Sequence, residues 1–130
     1  MDLVIDTSAI LAVLLNEDSR KSILSTTKGK NLIAPISLDA EIGNALSAMF
    51  KRNRLKTDQA QLVIHQYKLI PIRKTALDLE KSIELSKELD IYAYDAYMLH
   101  CCIKYNSPLL SLDRTLIKHA ENMRIKNLEV

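Results

Sequence analysis

A chain of 130 residues, 48% of them hydrophobic and 26% charged, is long enough to bury one core without disulfide or metal staples. Its formal net charge of +2 excludes a strong overall field for nucleic acid, although an acidic pocket beside a local basic surface fits that total. The glycines Gly29 and Gly43 are too few for a dinucleotide or Walker phosphate loop, and the adjacent Cys101 and Cys102 offer neither an ordinary disulfide nor a CxxC zinc pair.

These cysteines read as buried small hydrophobes of a reduced, cytoplasmic protein. The longest early apolar run, Ala9 to Leu15, is too short to cross a bilayer and follows no basic leader, so neither a membrane span nor export is expected.

In chain order, Leu3 to Ile5 is a short β-branched run that ends in Asp6-Thr7-Ser8, and a helical pattern begins at once with Ile10, Leu11, Leu14 and Leu15. Asp18 or Ser19 opens a second helix that closes near Gly29. Leu32 to Ala34, stopped by Pro35, reads as a buried strand. Ser37 is placed to cap a long third helix whose inward stripe is Leu38, Ile42, Ala45, Leu46 and Met49. Thr57 or Asp58 opens a fourth helix carrying Leu62, Val63 and Tyr67. Leu69 to Ile72 is a weak strand, restricted by Pro71 to an edge or a strand end.

A fifth helix is expected over 75–89, supported by Leu77, Leu79, Ile83 and Leu85, and a sixth over 92–105. Pro108 to Leu112 reads as a buried strand, followed by Asp113 and a helix through His119, with a last strand at 128–130. Short apolar strands alternating with helices imply an α/β fold, a parallel sheet covered on both faces in a single domain. Right-handed crossovers then bring every strand's carboxyl end to one edge.

Four segments deliver acids to that edge. Asp6 and Asp113 each follow a strand and precede a helix, where an N-cap role is sufficient explanation for either one alone. Asp95 stands in the first turn of the sixth helix on the same face as Leu99 and Cys102. In the third helix Asp39 and Glu41 both flank the apolar stripe, and the helical wheel does not choose between them.

Two carboxylates about 4 Å apart repel by roughly 4 kcal/mol at an effective dielectric near 20, so such a group requires protonation or a cation. An all-oxygen set without a Cys or His ligand pattern suits Mg²⁺ or Mn²⁺. The chemistry that follows is metal-assisted attack of water on a phosphodiester.

Ile5-Asp6-Thr7-Ser8, Glu41-Ile42-Gly43-Asn44-Ala45-Leu46, Tyr94-Asp95-Ala96-Tyr97 and Ser111-Leu112-Asp113, in that order and spacing, resemble the PIN-domain ribonucleases, and among them the VapC-type toxins of toxin–antitoxin pairs. The resemblance covers nearly the whole chain. It implies a three-layer sandwich with strand order 3-2-1-4-5 and a catalytic, metal-binding site built from Asp6, Glu41, Asp95 and Asp113, which selects Glu41 over Asp39. Asp6 and Asp95 are the implied direct ligands. Thr7, Ser8 and Ser111 are implied around the metal or the substrate phosphate.

The same resemblance implies an RNA substrate, a small antitoxin partner and a homodimer. Arg114 and Lys118, close behind Asp113, are the better-placed cations for substrate phosphate. The basic run from Lys51 to Lys56 fits a solvated helix end at least as well.

Three other readings compete. One is a PIN-like nuclease of RNA processing without an antitoxin. A second is a phosphatase with Asp6 as nucleophile, weakened because Ser8 stands where a second Asp is wanted. The third is a non-catalytic binding module whose acids are caps and ion-pair partners.

Overall fold

The computed structural model describes all 130 residues. Four strands, β1 (Asp2–Ile5), β2 (Asn31–Pro35), β3 (Ile72–Thr75) and β4 (Leu109–Leu110), form one parallel sheet in the order β3-β2-β1-β4. The helices are α1 (Thr7–Leu14), α2 (Arg20–Thr27), α3 (Leu38–Lys51), α4 (Thr57–Lys68), α5 (Leu79–Leu89), α6 (Ala93–Lys104) and α7 (Arg114–Asn122).

The three-layer sandwich follows from strand alternation. Leu3 and Ile5 of β1, Ala34 of β2 and Leu110 of β4 face a core shared with α1 to α4, where Ile10, Ile23, Leu38, Ile42, Leu46, Val63 and Tyr67 are buried. Val4, Ile33 and Leu109 point the other way, onto Met98, Leu99 and Cys102 of α6 and Leu116 and Ala120 of α7. Leu85 and Leu89 of α5 close that second layer. Both cysteines are buried and free.

The expected order 3-2-1-4 is present, with the fifth position reduced to a single parallel bridge between Leu109 and Asn127. Backbone bonds from the Leu109 amide to the Lys126 carbonyl and from the Leu128 amide to the Leu109 carbonyl, both 2.8 Å, hold that segment in place. The run at 108–112 yields only two strand residues, because Ser111 and Asp113 turn into the site described below.

Two further expectations shift. β3 begins at Ile72, after Pro71 rather than across it, and lies at the sheet edge as a proline-limited strand should. The fifth helix starts at Leu79 rather than Thr75, and Leu79 and Ile83 are exposed while Ser82 is its buried residue. Leu62 of α4 is likewise exposed, and Val63 and Tyr67 carry that helix's packing. Gly29, just after α2, has φ +77, a conformation suited to glycine.

In an open parallel sheet, ligands bind outside the carboxyl ends of the strands where the connection order reverses. That point lies between β1 and β4, because β1 continues to β2 on one side while β4 arrives on the other after α6. Asp6 and Ser111 are the first residues beyond those two strand ends.

Candidate active site

At this switch point Asp6, Thr7, Ser8, Leu11, Glu41, Ala45, Asp95, Met98, Asp113 and Leu116 line a cleft of about 260 Å³. The four acids named from sequence therefore come together, one each from the ends of β1 and β4 and from the first turns of α3 and α6. The apolar wall obeys the same helical spacing, since Leu11, Ala45, Met98 and Leu116 follow Ser8, Glu41, Asp95 and Asp113 by three or four positions. That period was the available signal for the wall, and the sequence reading did not use it.

Asp6 is the most deeply set of the four, 5% exposed. It is the N-cap of α1, and its Oδ1 accepts from the Ala9 amide at 3.0 Å and the Ser8 hydroxyl at 2.7 Å. Its Oδ2 accepts from the Ser111 hydroxyl at 2.5 Å. The hydroxyl oxygens in turn accept from the backbone beyond β4: Ser8 from the Leu112 amide at 2.9 Å, and Ser111 from the Asp113 amide at 3.0 Å. Two serines thus lace the end of β1 to the turn that carries Asp113. Their protons face Asp6 rather than the open cleft.

Asp113 caps α7, accepting at Oδ1 from the Thr115 amide (3.0 Å) and the Leu116 amide (3.2 Å). Glu41 accepts from the Ser37 hydroxyl at 3.1 Å. Ser37 was expected to cap α3; it precedes the helix in αR geometry, makes no side-chain cap bond, and directs its hydroxyl at Glu41 instead. The four-residue spacing of Ser37 and Glu41 was the signal for that bond. Asp95, in the first turn of α6, has no side-chain hydrogen bond or ion pair within the protein.

Asp39 and Glu41 separate clearly. Asp39 turns to the outside, accepting from the Tyr67 hydroxyl at 2.7 Å and Lys74 Nζ at 2.8 Å, while Glu41 enters the cleft. Thr7 lines the cleft with a buried Oγ1 that has no hydrogen-bond partner. Arg114 is exposed at the first position of α7 and does not line the cleft. Lys118 and the basic residues from Lys51 to Arg54 are also exposed.

The electrostatics follow from burial and like charge. Burial raises the Asp6 carboxyl above its ordinary range, opposed by the bonds from Ser111, Ser8 and Ala9 and assisted by the charge of Asp113. Burial lifts Glu41 to about 7, against the Ser37 bond, with the charges of Asp6 and Asp95 adding to it. Asp95 is raised by burial and by Asp113, with His119 opposing. Neither of the protein's two carboxylate–cation pairs involves a cleft acid.

This donor set fits a hard divalent cation by its chemistry. It is all oxygen, burial disfavours the charged forms of Asp6, Glu41 and Asp95, and the orphaned Thr7 hydroxyl adds an oxygen without a partner. No three of the acids approach closely enough to grip one ion between them. The arrangement suits Mg²⁺ or Mn²⁺, which keep several waters and take one or two carboxylates directly.

Comparison with known proteins agrees with the fold. A model of the PIN domain matches residues 3–122. The chain belongs to the PIN domain family. PIN domains are in general metal-dependent nucleases that bind divalent ions such as Mg²⁺ or Mn²⁺ and act on nucleic acids.

Among solved structures, PAE2754 from Pyrobaculum aerophilum is similar at a TM-score of 0.67 and 15% identity, over 98% of this chain and 83% of that one. The PilT N-terminus domain protein SSO1118 from Sulfolobus solfataricus P2 is similar at a TM-score of 0.50 and 14% identity, over 98% of this chain and 86% of that one. At such identities the likeness concerns the fold. No curated protein sequence matches this chain.

Proposed function

We propose that this PIN domain, acting as a single unit over residues 1–130, is a divalent-metal-dependent endoribonuclease and the toxin of a two-component toxin–antitoxin module. The observation that carries the nuclease reading is the cleft itself: four carboxylates from four separate elements, from buried Asp6 to exposed Asp113, none of them in an ion pair with a protein cation. A binding module whose acids served only as caps would not gather uncapping acids such as Glu41 and Asp95 at the same place as the caps Asp6 and Asp113.

In this reading Asp6 and Asp95 would hold Mg²⁺ or Mn²⁺ directly, and Glu41 and Asp113 would act through its waters. The bound cation would activate water and stabilise charge on the attacking and leaving oxygens of an RNA phosphodiester. The protein's part is to hold the acids. Ser8 and Ser111 fix both oxygens of Asp6, and Ser37 turns Glu41 inward.

Glu41, held at the cleft by the Ser37 hydroxyl, is placed to take a proton from an attacking water and return it to solvent. Thr7 offers its unpartnered hydroxyl to a phosphate oxygen. Leu11, Met98 and Leu116 keep bulk water from the rear of the cleft. Arg114 and Lys118, exposed on α7 behind Asp113, contribute salt-dependent phosphate contacts further along the RNA.

The toxin assignment, with its small antitoxin and a homodimeric state, rests on the matching motifs, their order and their spacing. The buried free cysteines suit the cytoplasm. No helix is long and apolar enough to cross a membrane.

The test is cleavage of a labelled pool of tRNA, rRNA fragments and single-stranded DNA with Mg²⁺, Mn²⁺ or chelator, beside an Asp6→Ala, Asp95→Ala double variant. Metal-dependent RNA cuts absent from the variant are expected. Cuts that persist in chelator or in the variant would place catalysis elsewhere. A gene for a small DNA-binding protein immediately upstream, whose product silences cleavage, distinguishes a toxin from an RNA-processing enzyme.

A further inference from the structure

Asp39 carries a carboxylate like its cleft neighbours and lies two residues from Glu41, yet it faces away. Two residues are about 200° of helical rotation, so the two carboxylates leave α3 on opposite sides of the same first turn. The inward one is held lightly, by a single bond from Ser37. The outward one is held by two other elements: Tyr67 of α4 donates its hydroxyl at 2.7 Å, and Lys74 of β3 donates its ammonium at 2.8 Å.

The Lys74 ammonium also lies 5.2 Å from the Tyr67 ring centroid, and that ring is 5% exposed within the core that contains Ile42 and Leu46 of α3. Charge, hydrogen bond and ring contact therefore close one three-membered cluster anchored in the core. It has a mechanical consequence, because helix ends fray unless their first amides find partners, and the residue before α3 supplies no side-chain cap. The first turn, which aims Glu41, lacks the restraint that Asp6 gives α1 and Asp113 gives α7.

We propose that Asp39, Tyr67 and Lys74 form a clamp that replaces the missing cap and positions Glu41, so that three residues outside the cleft set its hold on a divalent cation. The proposal deepens the functional reading above and rests on it. Asp39, Tyr67 and Lys74 touch neither cation nor substrate; they are positioning residues acting through Glu41.

The experiment is a double-mutant cycle between Asp39→Ala and Glu41→Ala in the full chain. Mn²⁺ alone is the probe, its uptake followed by loss of the free-ion paramagnetic signal, and RNA cleavage is the second readout. In the presence of Glu41, Asp39→Ala should weaken Mn²⁺ binding and lower kcat by about ten-fold, with KM little changed. In the Glu41→Ala background the same change should alter Mn²⁺ binding by less than about two-fold, because the side chain being positioned is gone. Tyr67→Phe, which keeps the ring and removes the hydroxyl, should reproduce the effect in part. Lys74→Arg should retain what Lys74→Ala loses.

Ser47→Gly, an exposed position in the middle of α3, supplies the control: it loosens the helix without touching the clamp and should leave Mn²⁺ binding unchanged. An equal loss from Asp39→Ala in both backgrounds, or a loss matched by Ser47→Gly, overturns the positioning role and leaves the site intact. Glu41→Ala that binds Mn²⁺ and cleaves RNA like wild type overturns the reading of the site, and the clamp with it.

Discussion

Two sets of acids in this molecule have opposite surroundings. Asp2 and Asp39, on the flanks, each meet a protein cation: Asp2 lies 4.0 Å from Arg73, and Asp39 lies 2.8 Å from Lys74. Asp6, Glu41 and Asp113, at the carboxyl edge of the sheet, accept from amides and hydroxyls, Asp95 accepts from none, and no protein cation forms an ion pair with any of the four. The contrast shows in protonation, because the Lys74 and Tyr67 bonds lower the Asp39 carboxyl while burial raises Asp6, Glu41 and Asp95. The flank acids have found their counter-charge within the chain. The cleft acids are arranged for one that comes from outside, which is the physical basis for reading the cleft as a cation site.

The sharpest way to break this comparison is to remove a cleft acid and measure cleavage. Asp6→Ala should lower kcat by at least about a hundred-fold, since residues that merely support metal ligands already cost about 10- to 100-fold. Ser111→Ala comes next. It leaves one oxygen of a buried carboxylate without its donor and should destabilise the fold by about 1–3 kcal/mol in chemical unfolding, with a loss of activity alongside.

Asp113 tests whether a cleft acid can also serve structure. Asp113→Ala should cost about 1 kcal/mol through the lost cap on α7, whereas Asp113→Asn keeps the cap and lowers activity while leaving stability nearly unchanged.

The pH dependence has a definite sign. Glu41 has an ordinary value of 4.5 and rises to about 7 in the folded protein, so between these values the folded state binds more protons than the unfolded one. Without metal, stability should therefore fall as pH rises from about 4.5 to 7, and Glu41→Gln should flatten that slope in denaturant titrations. Mn²⁺ binding should strengthen over the same range, because the ion competes with the proton. The smallest effect belongs to the flank. Asp2→Asn removes an exposed pair and should change stability by less than about 1 kcal/mol, with little dependence on metal.

Much of this arrangement was legible in the sequence. The strands and helices follow from apolar period, and Asp6 and Asp113 from their places between a strand and a helix. Two things were not. The choice between Asp39 and Glu41 depends on Tyr67 and Lys74, which reach α3 from 28 and 35 positions away and leave no trace in a helical wheel. The serines looked like hydroxyls free for metal or phosphate, whereas Ser8 and Ser111 lie 103 positions apart in the chain and face the same carboxylate. The short β4 and the single bridge at Asn127 fall in the same class, because local β-propensity does not say where a turn into a site will end a strand. Leu62, Leu79 and Ile83 show the converse error, apolar residues on the exposed side of amphipathic helices.

The central claim, that the cleft acids repel one another until a cation joins them, is tested most directly by Asp95, which caps no helix and makes no protein hydrogen bond or ion pair. Thermal melting of wild type and Asp95→Asn would be compared in chelator and in Mn²⁺. A crossing is expected: the variant is at least as stable as wild type in chelator, and wild type alone gains on adding Mn²⁺. A variant clearly less stable in chelator, with the same Mn²⁺ response as wild type, would contradict it.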